Sequence, residues 1–199
     1  MPFEFSRRSF LVGTTAFFGL AGAPSFAMTE NAARQLVNEV VADVQKVISS
    51  GKSDAATLKE FERLFVRYAD TNIMAQYALG ADGRSASASD KRAFTNAFKG
   101  YISRKYGKRF RDFIGGRIDV QSARPIKSGY EVKAKAVLTG QGTFEVAFHV
   151  SDRSGSDKIF NVFIEGVNLL LTERTEIGAM LDQRNGNIKA LAADLEKAG

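Results

Sequence analysis

The feature that most constrains the fold is a change of period at Gly115-Gly116. Before this pair, apolar residues recur at helical spacing. After it, from Arg117 to Val167, they recur every second residue. A period of two over some fifty residues, broken by turn residues, specifies strands joined by short connections. Val132, Ala134, Ala136 and Leu138 fall on one face of a segment from Tyr130 to Thr139, with Glu131, Lys133 and Lys135 on the other. Phe144, Val146, Phe148 and Val150 alternate likewise between Thr143 and Asp152. A first strand spans Arg117 to Ser122, with Ile118 and Val120 inward. Lys127-Ser128-Gly129, Gln141-Gly142 and Arg153 to Asp157 supply the turns. The pattern predicts four antiparallel strands in one sheet.

The last strand begins a stretch from Lys158 to Ile177 that is apolar across a strand-to-helix join. Period two puts Phe160, Val162 and Ile164 on one face and Ile159, Phe163 and Val167 on the other. Gly166 permits a bend before Leu169, Leu170 and Leu171 carry the apolar surface into a helix.

On the amino-terminal side, Thr29 to Ser50 reads as a helix capped by Thr29 and ended by Gly51. Its stripe is Leu36, Val37, Val40, Val41, Val44, Val47 and Ile48. A second helix begins near Ser53, with Leu58, Phe61, Leu64, Phe65 and Tyr68 inward, and a third spans Asn72 to Leu79. Ala81 to Ala88 reads as a loop. Ser89 then caps a long helix whose inner face is Phe94, Phe98, Tyr101, Ile102, Phe110 and Phe113. Its outer face is basic, with Lys99, Arg104, Lys105, Lys108, Arg109 and Arg111. Two closing helices, about Leu169 to Gln183 and Ile188 to Lys197, flank Asn185-Gly186-Asn187. Helices segregated from an antiparallel sheet make the class α+β.

Residues 1–27 read as an export signal. Ser6-Arg7-Arg8-Ser9-Phe10-Leu11 has the twin-arginine pattern before a weakly apolar segment, and Ser25-Phe26-Ala27 ends on small residues. The expectation is one domain over residues 28–199, outside the inner membrane. The chain's formal charge is +6, and residues 1–27 contain Arg7, Arg8 and Glu4, so the rest carries one positive charge fewer. That balance favours anionic surfaces and acidic partners.

Catalytic groupings are sparse. The chain has no Cys, which excludes disulfides, thiolate metal sites and Cys nucleophiles. His149, the single histidine, lies on the polar face of its strand with no serine and acid at a spacing that marks a triad. Glu131 and Glu145 alternate with lysines, as in a solvated cross-strand ladder. No metal-ligand spacing and no phosphate-cradling glycine loop occur, so no cofactor is expected. The aromatics of the long helix sit apart from its basic face, which argues against nucleic acid. A non-enzymatic binder of an apolar ligand fits best, since shape and apolar walls leave no compact motif.

Three stretches resemble the MlaC family, the periplasmic phospholipid-binding proteins of the maintenance-of-lipid-asymmetry system, also called the toluene-tolerance family. They are Asn72 to Gly80 (NIMAQYALG), Lys91-Arg92-Ala93-Phe94 on through Phe98, Tyr101 and Tyr106, and Phe160 to Val167 (FNVFIEGV) on through Leu170 and Arg174. The family often carries a Trp after its Leu-Gly, where this chain has Ala81-Asp82-Gly83. Its Asn-Tyr-Arg stands here as Thr172-Glu173-Arg174. These departures leave room for the family's hopanoid-associated branch.

The resemblance implies a cone like that of the nuclear-transport-factor fold, with a curved sheet and helices around acyl chains. It implies a carrier of phospholipid between an outer-membrane lipoprotein–porin complex and an inner-membrane ABC transporter with a substrate-binding domain. The expected walls are Phe98, Ile102, Val132, Ala134, Phe144, Val146, Phe148, Val162, Ile164 and Leu170. Arg174 is expected to meet a head group or a partner, or to pair with Glu173 or Glu176. The competing readings are a small-substrate enzyme using His149 or paired acids, and an adaptor that binds only proteins.

Overall fold

The computed structural model describes residues 28–108, 113–138, 140 and 142–199. The export signal expected over residues 1–27, Phe110, Arg109 and Arg111 of the long helix, and Gln141 of a turn lie outside the described residues. Among the described residues, no helix is long and apolar enough to cross a membrane.

Three helices come first: α1 (Glu30–Ile48), α2 (Asp54–Tyr68) and α3 (Thr71–Leu79). The Thr29 hydroxyl accepts from the Ala32 amide at 3.2 Å and starts α1. Ala33, Leu36 and Val37 bury its inner face. The Tyr68 hydroxyl donates to Asp43 at 2.6 Å and fastens α2 to α1. Burial, then the hydrogen bond to Asp43, pushes Tyr68 up to about 12. Asp70 caps α3 by accepting from the Ile73 amide at 3.0 Å. Its own amide donates to the Ile159 carbonyl at 2.7 Å, which ties the helices to the sheet.

The expected loop at Ala81 to Ala88 contains a single turn of helix, α4 (Asp82–Ser85). The long helix α5 runs Ala88–Gly107, and its cap is Ser87 rather than Ser89: the Ser87 hydroxyl accepts from the Asp90 amide at 3.1 Å. Phe113 lies beyond the end of α5. Its ring meets Phe144 of the sheet edge-on, with centroids 6.1 Å apart. Two of the expected outer basic residues turn inward. Arg104 donates to the carbonyls of Leu195 and Ala198, and Lys105 reaches carboxylates on the next long helix. Their aliphatic stems span the packed surface while the charged ends find acceptors.

The sheet is a five-stranded antiparallel meander in sequence order: β1 (Arg117–Ile126), β2 (Gly129–Leu138), β3 (Gly142–Ser151), β4 (Lys158–Ile164) and β5 (Val167–Asn168). The inner faces pair as the alternation predicts: Val132 opposite Phe148, Ala134 opposite Val146, and Ala136 opposite Phe144. β1 continues past Ser122 through Pro125. Proline is tolerated there because β1 is an edge strand, whose free side needs no amide.

Two features alter the expected course of β4. His149 pairs with Asn161 but Val150 pairs with Ile159, so the register slips by one residue between them. That bulge puts Ile159 on the face of Val162 and Ile164. Phe160 joins Asn161 and Phe163 on the face of His149. The strand also does not run straight into a helix. Glu165 and Gly166 have φ of 48° and 77° and form a two-residue turn between the paired Ile164 and Val167. Only after β5 does α6 (Leu169–Asp182) begin, followed by α7 (Ile188–Leu195).

Asn161 fixes this corner. Its amide nitrogen donates to Asn168 at 2.9 Å, and its oxygen accepts from the amides of Val162 at 2.9 Å and Leu170 at 3.3 Å. Asn168 in turn caps α6, accepting from the Leu171 amide at 3.0 Å.

Candidate functional site

Most buried apolar residues among those described fall into two clusters that share no member. One is helical: Phe94, Phe98, Tyr101 and Ile102 of α5 pack with residues of α3, α6 and α7. The other joins Leu36 and Val37 of α1 to the inner face of the sheet. Helix α2 stands at their boundary. Phe65 packs against the helical cluster, Leu64 and Tyr68 belong with the sheet cluster, and Phe61 is buried but belongs to neither.

The expected wall residues divide along this line. Phe98 and Ile102 are in the helical cluster. Val132, Ala134, Val146 and Phe148 are buried in the sheet cluster, with Phe144 and Val162 half-buried against it. Ile164 is half-buried near the end of β4, and Leu170 is buried in the first turn of α6, outside both clusters. Eight of the ten thus belong to or pack against one of the two clusters, and Ile164 and Leu170 stand outside both.

A cleft of about 460 Å³ opens where the ends of α1, α2 and α5 meet. None of the ten lines it. Its apolar wall is Ile48 of α1, Leu58 and Phe61 of α2, and Ile114 beyond α5. Phe61 is 3% exposed and Ile114 is 58% exposed, so the wall runs from a buried end to an open one. Gly107 lets Leu58 pack close against α5: a Cβ there would lie 2.6 Å from Cδ2 of Leu58. Lys52 and Lys108 also line the cleft. Lys52 reaches Glu60 at 3.1 Å, and the Lys108 ammonium donates to the Gly199 carbonyl at 2.6 Å. The volume lies within the range of small-ligand pockets, about 300–1,000 Å³. Asp54 lines the cleft too, so its apolar wall stands beside two ammonium groups and one carboxylate, a setting for an amphiphile with a charged head.

Leu58 and Phe61 were legible in the sequence as the inner face of α2. Nothing in their spacing separates a face that lines a cleft from one that is packed shut. Ile114 and Gly107 carry no local signal, because the cleft is made by three chain ends meeting.

Several polar groups elsewhere are held in pairs. On the outer face of the sheet, Lys133 meets Glu145 at 3.0 Å and Arg124 meets Glu131 at 2.7 Å, the expected ladder. The hydrogen bond from Arg124 holds the Glu131 carboxyl below the usual range, against burial, and His149 assists. His149 Nε2 lies 3.2 Å from Glu131, with its ring against Phe163 at 4.6 Å. Among the described residues, no group of three or more His, Cys, Asp or Glu side chains is placed to hold a metal ion.

Arg174 pairs with neither Glu173 nor Glu176, both of which are bonded to Lys105. Its guanidinium lies over the ring of Tyr77, 5.2 Å from the centroid.

No curated protein matches the chain. Among solved structures, the phospholipid-binding protein from Ralstonia solanacearum, in complex with a phospholipid, is similar in fold with a TM-score of 0.70. It is 18% identical, and the likeness covers 83% of this chain and 95% of that one. The sequence model of the MlaC protein family matches residues 34–197, from the first helix through the last. The chain belongs to the MlaC family.

Proposed function

We propose that the chain is a periplasmic phospholipid carrier that admits acyl chains through the cleft at Leu58 and Phe61 and lodges them between the two apolar clusters. The observation that carries this reading is a cleft with an apolar wall at the meeting ends of α1, α2 and α5, in a fold like that of a phospholipid-bound protein.

The energetics set the requirement. Each CH₂ kept from water is worth about 0.8 kcal/mol, so two long chains represent on the order of 20 kcal/mol. A carrier must therefore enclose both tails, while the head group can stay wet. A cleft of about 460 Å³ is the entrance. Parting the clusters along α2 turns their inner surfaces into walls, with Phe98 and Ile102 on one side and Val132, Ala134, Phe144, Val146, Phe148 and Val162 on the other. Ile164 and Leu170 close the far corner. Lys52 and Lys108 meet the phosphate at the mouth. Residues 1–27 direct export, and residues 28–199 act as one domain. The loaded carrier moves between an outer-membrane lipoprotein–porin complex and an inner-membrane ABC transporter complex.

Native mass spectrometry of the exported protein, with lipid identification after solvent extraction, tests this. The expected result is one diacyl phospholipid per chain. A hopanoid in its place changes the cargo. A chain that is empty and takes up no phospholipid from vesicles overturns the carrier reading.

A further inference from the structure

A second recess, of about 320 Å³, lies toward the other end of α5. Lys91 beside it and Gly107 at the lipid cleft are 16 residues apart on one helix. At 1.5 Å per residue that is about 24 Å. The floor is apolar: Ala75 and Leu79 of α3 and Phe94 of α5. The rim carries Gln76, Arg84 and Lys91, and no acidic side chain lines it among the described residues. No described carboxylate is within ion-pair range of Arg84 or Lys91. Asp90, next in sequence to Lys91, is engaged by the Ser87 hydroxyl at 2.6 Å.

A third cation is held at the border. Arg174 is stacked on Tyr77 and reaches Gly80, which lines the recess; a Cβ on Gly80 would stand 3.1 Å from its Nη2. It too has no described carboxylate in range. Tyr77 is 39% exposed and Leu171, one turn before Arg174, is 49% exposed. The recess therefore opens onto a surface where large apolar side chains and unpaired cations alternate.

We propose that this recess docks an acidic segment of a protein partner. The segment sets one apolar side chain on Leu79 and Phe94 and brings carboxylates to Arg84, Lys91 and Arg174. The concavity selects a protruding side chain over a flat membrane surface. The chain's own positive balance opposes a second copy in this role. Because the recess stands apart from the lipid cleft, this docking holds or fails independently of the cargo.

The test is site-specific photo-crosslinking of the full chain in cells that produce it, with benzoylphenylalanine in place of Gln76. The expected product is a covalent adduct with another protein, and mass spectrometry places the linked peptide in a segment of carboxylates around an apolar residue. Joining Arg84→Glu to Lys91→Glu lowers the adduct yield at least about tenfold through like-charge repulsion. Arg84→Lys alone keeps most of it. Melting temperature and bound phospholipid, read on the same preparations, stay at the parent values and separate loss of docking from loss of fold or cargo. An adduct only with lipid or with a second copy of this chain, no adduct at all, or a yield indifferent to charge reversal overturns the proposal.

Discussion

The ammonium of Lys105 on α5 lies 2.7 Å from Oε1 of Glu173 on α6, a carboxylate only 2% exposed. The Tyr106 hydroxyl donates to the same oxygen at 2.5 Å, while Oε2 has no hydrogen-bond partner among the described residues. Lys105 also binds Glu176, as does the Tyr101 hydroxyl at 2.9 Å. Burial works against the charge on Lys105, but its hydrogen bonds to Glu173 and Glu176 outweigh that and raise its pKa. A buried carboxylate that loses its cation is strongly destabilising, whereas replacing both partners by apolar groups is often neutral. Lys105→Met is therefore expected to cost about 3 kcal/mol in urea unfolding. Adding Glu173→Leu should return most of it. A double variant as unstable as the single one would refute the pairing as the cause.

Depressed carboxyls shape the acid side of the stability profile, and Glu176 and Glu131 are the most buried of them. Hydrogen bonding to Lys105 lowers Glu176, and hydrogen bonding to Arg124 lowers Glu131. In each case the unfolded chain takes up the proton at a higher pH than the folded one. Their contribution is present above the unfolded value, 4.5, and is lost as pH falls through the folded values. The melting temperature should hold from neutrality to about pH 5 and then fall. Glu176→Gln should shrink that fall. An identical profile for the variant would show that Glu176 contributes nothing to it.

Occupancy of the cleft is testable by size alone. Leu58 lines the cleft, and Leu58→Trp should fill part of it. Phospholipid recovered per chain is expected to drop at least about fivefold, with the melting temperature read on the same preparation to separate loss of lipid from the cost of overpacking. Undiminished lipid would move the entrance elsewhere.

The corner between β4 and α6 rests on one side chain. Asn161→Leu leaves the amides of Val162 and Leu170 without their acceptor. The cost should be about 1–3 kcal/mol, with faster amide exchange at Leu170. Unchanged protection at Leu170 would show that α6 starts without this bond.

The sheet was legible because alternation is a local property. Val132, Ala134 and Ala136 face Phe148, Val146 and Phe144 as their positions require, and Lys133 meets Glu145 for the same reason. The bulge at Phe160 and Asn161 was not legible, since no residue type announces a one-residue slip. β5 was missed because two residues are too few to show a period. Arg104 and Lys105 looked solvated because their acceptors, on α7 and α6, are remote in sequence. The cleft is the extreme case. Ile48, Leu58, Gly107 and Ile114 share no motif, and only tertiary packing brings them to one opening.

Pro125 lies in the open edge strand, flanked by Arg124 and following an irregular register between Val120 and Ser122. A proline offers no amide to a neighbouring strand, and a charged, irregular edge resists being copied. The meander thus ends in a border that discourages extension by backbone pairing with a second molecule. An edge of this kind removes one route into fibrous aggregates.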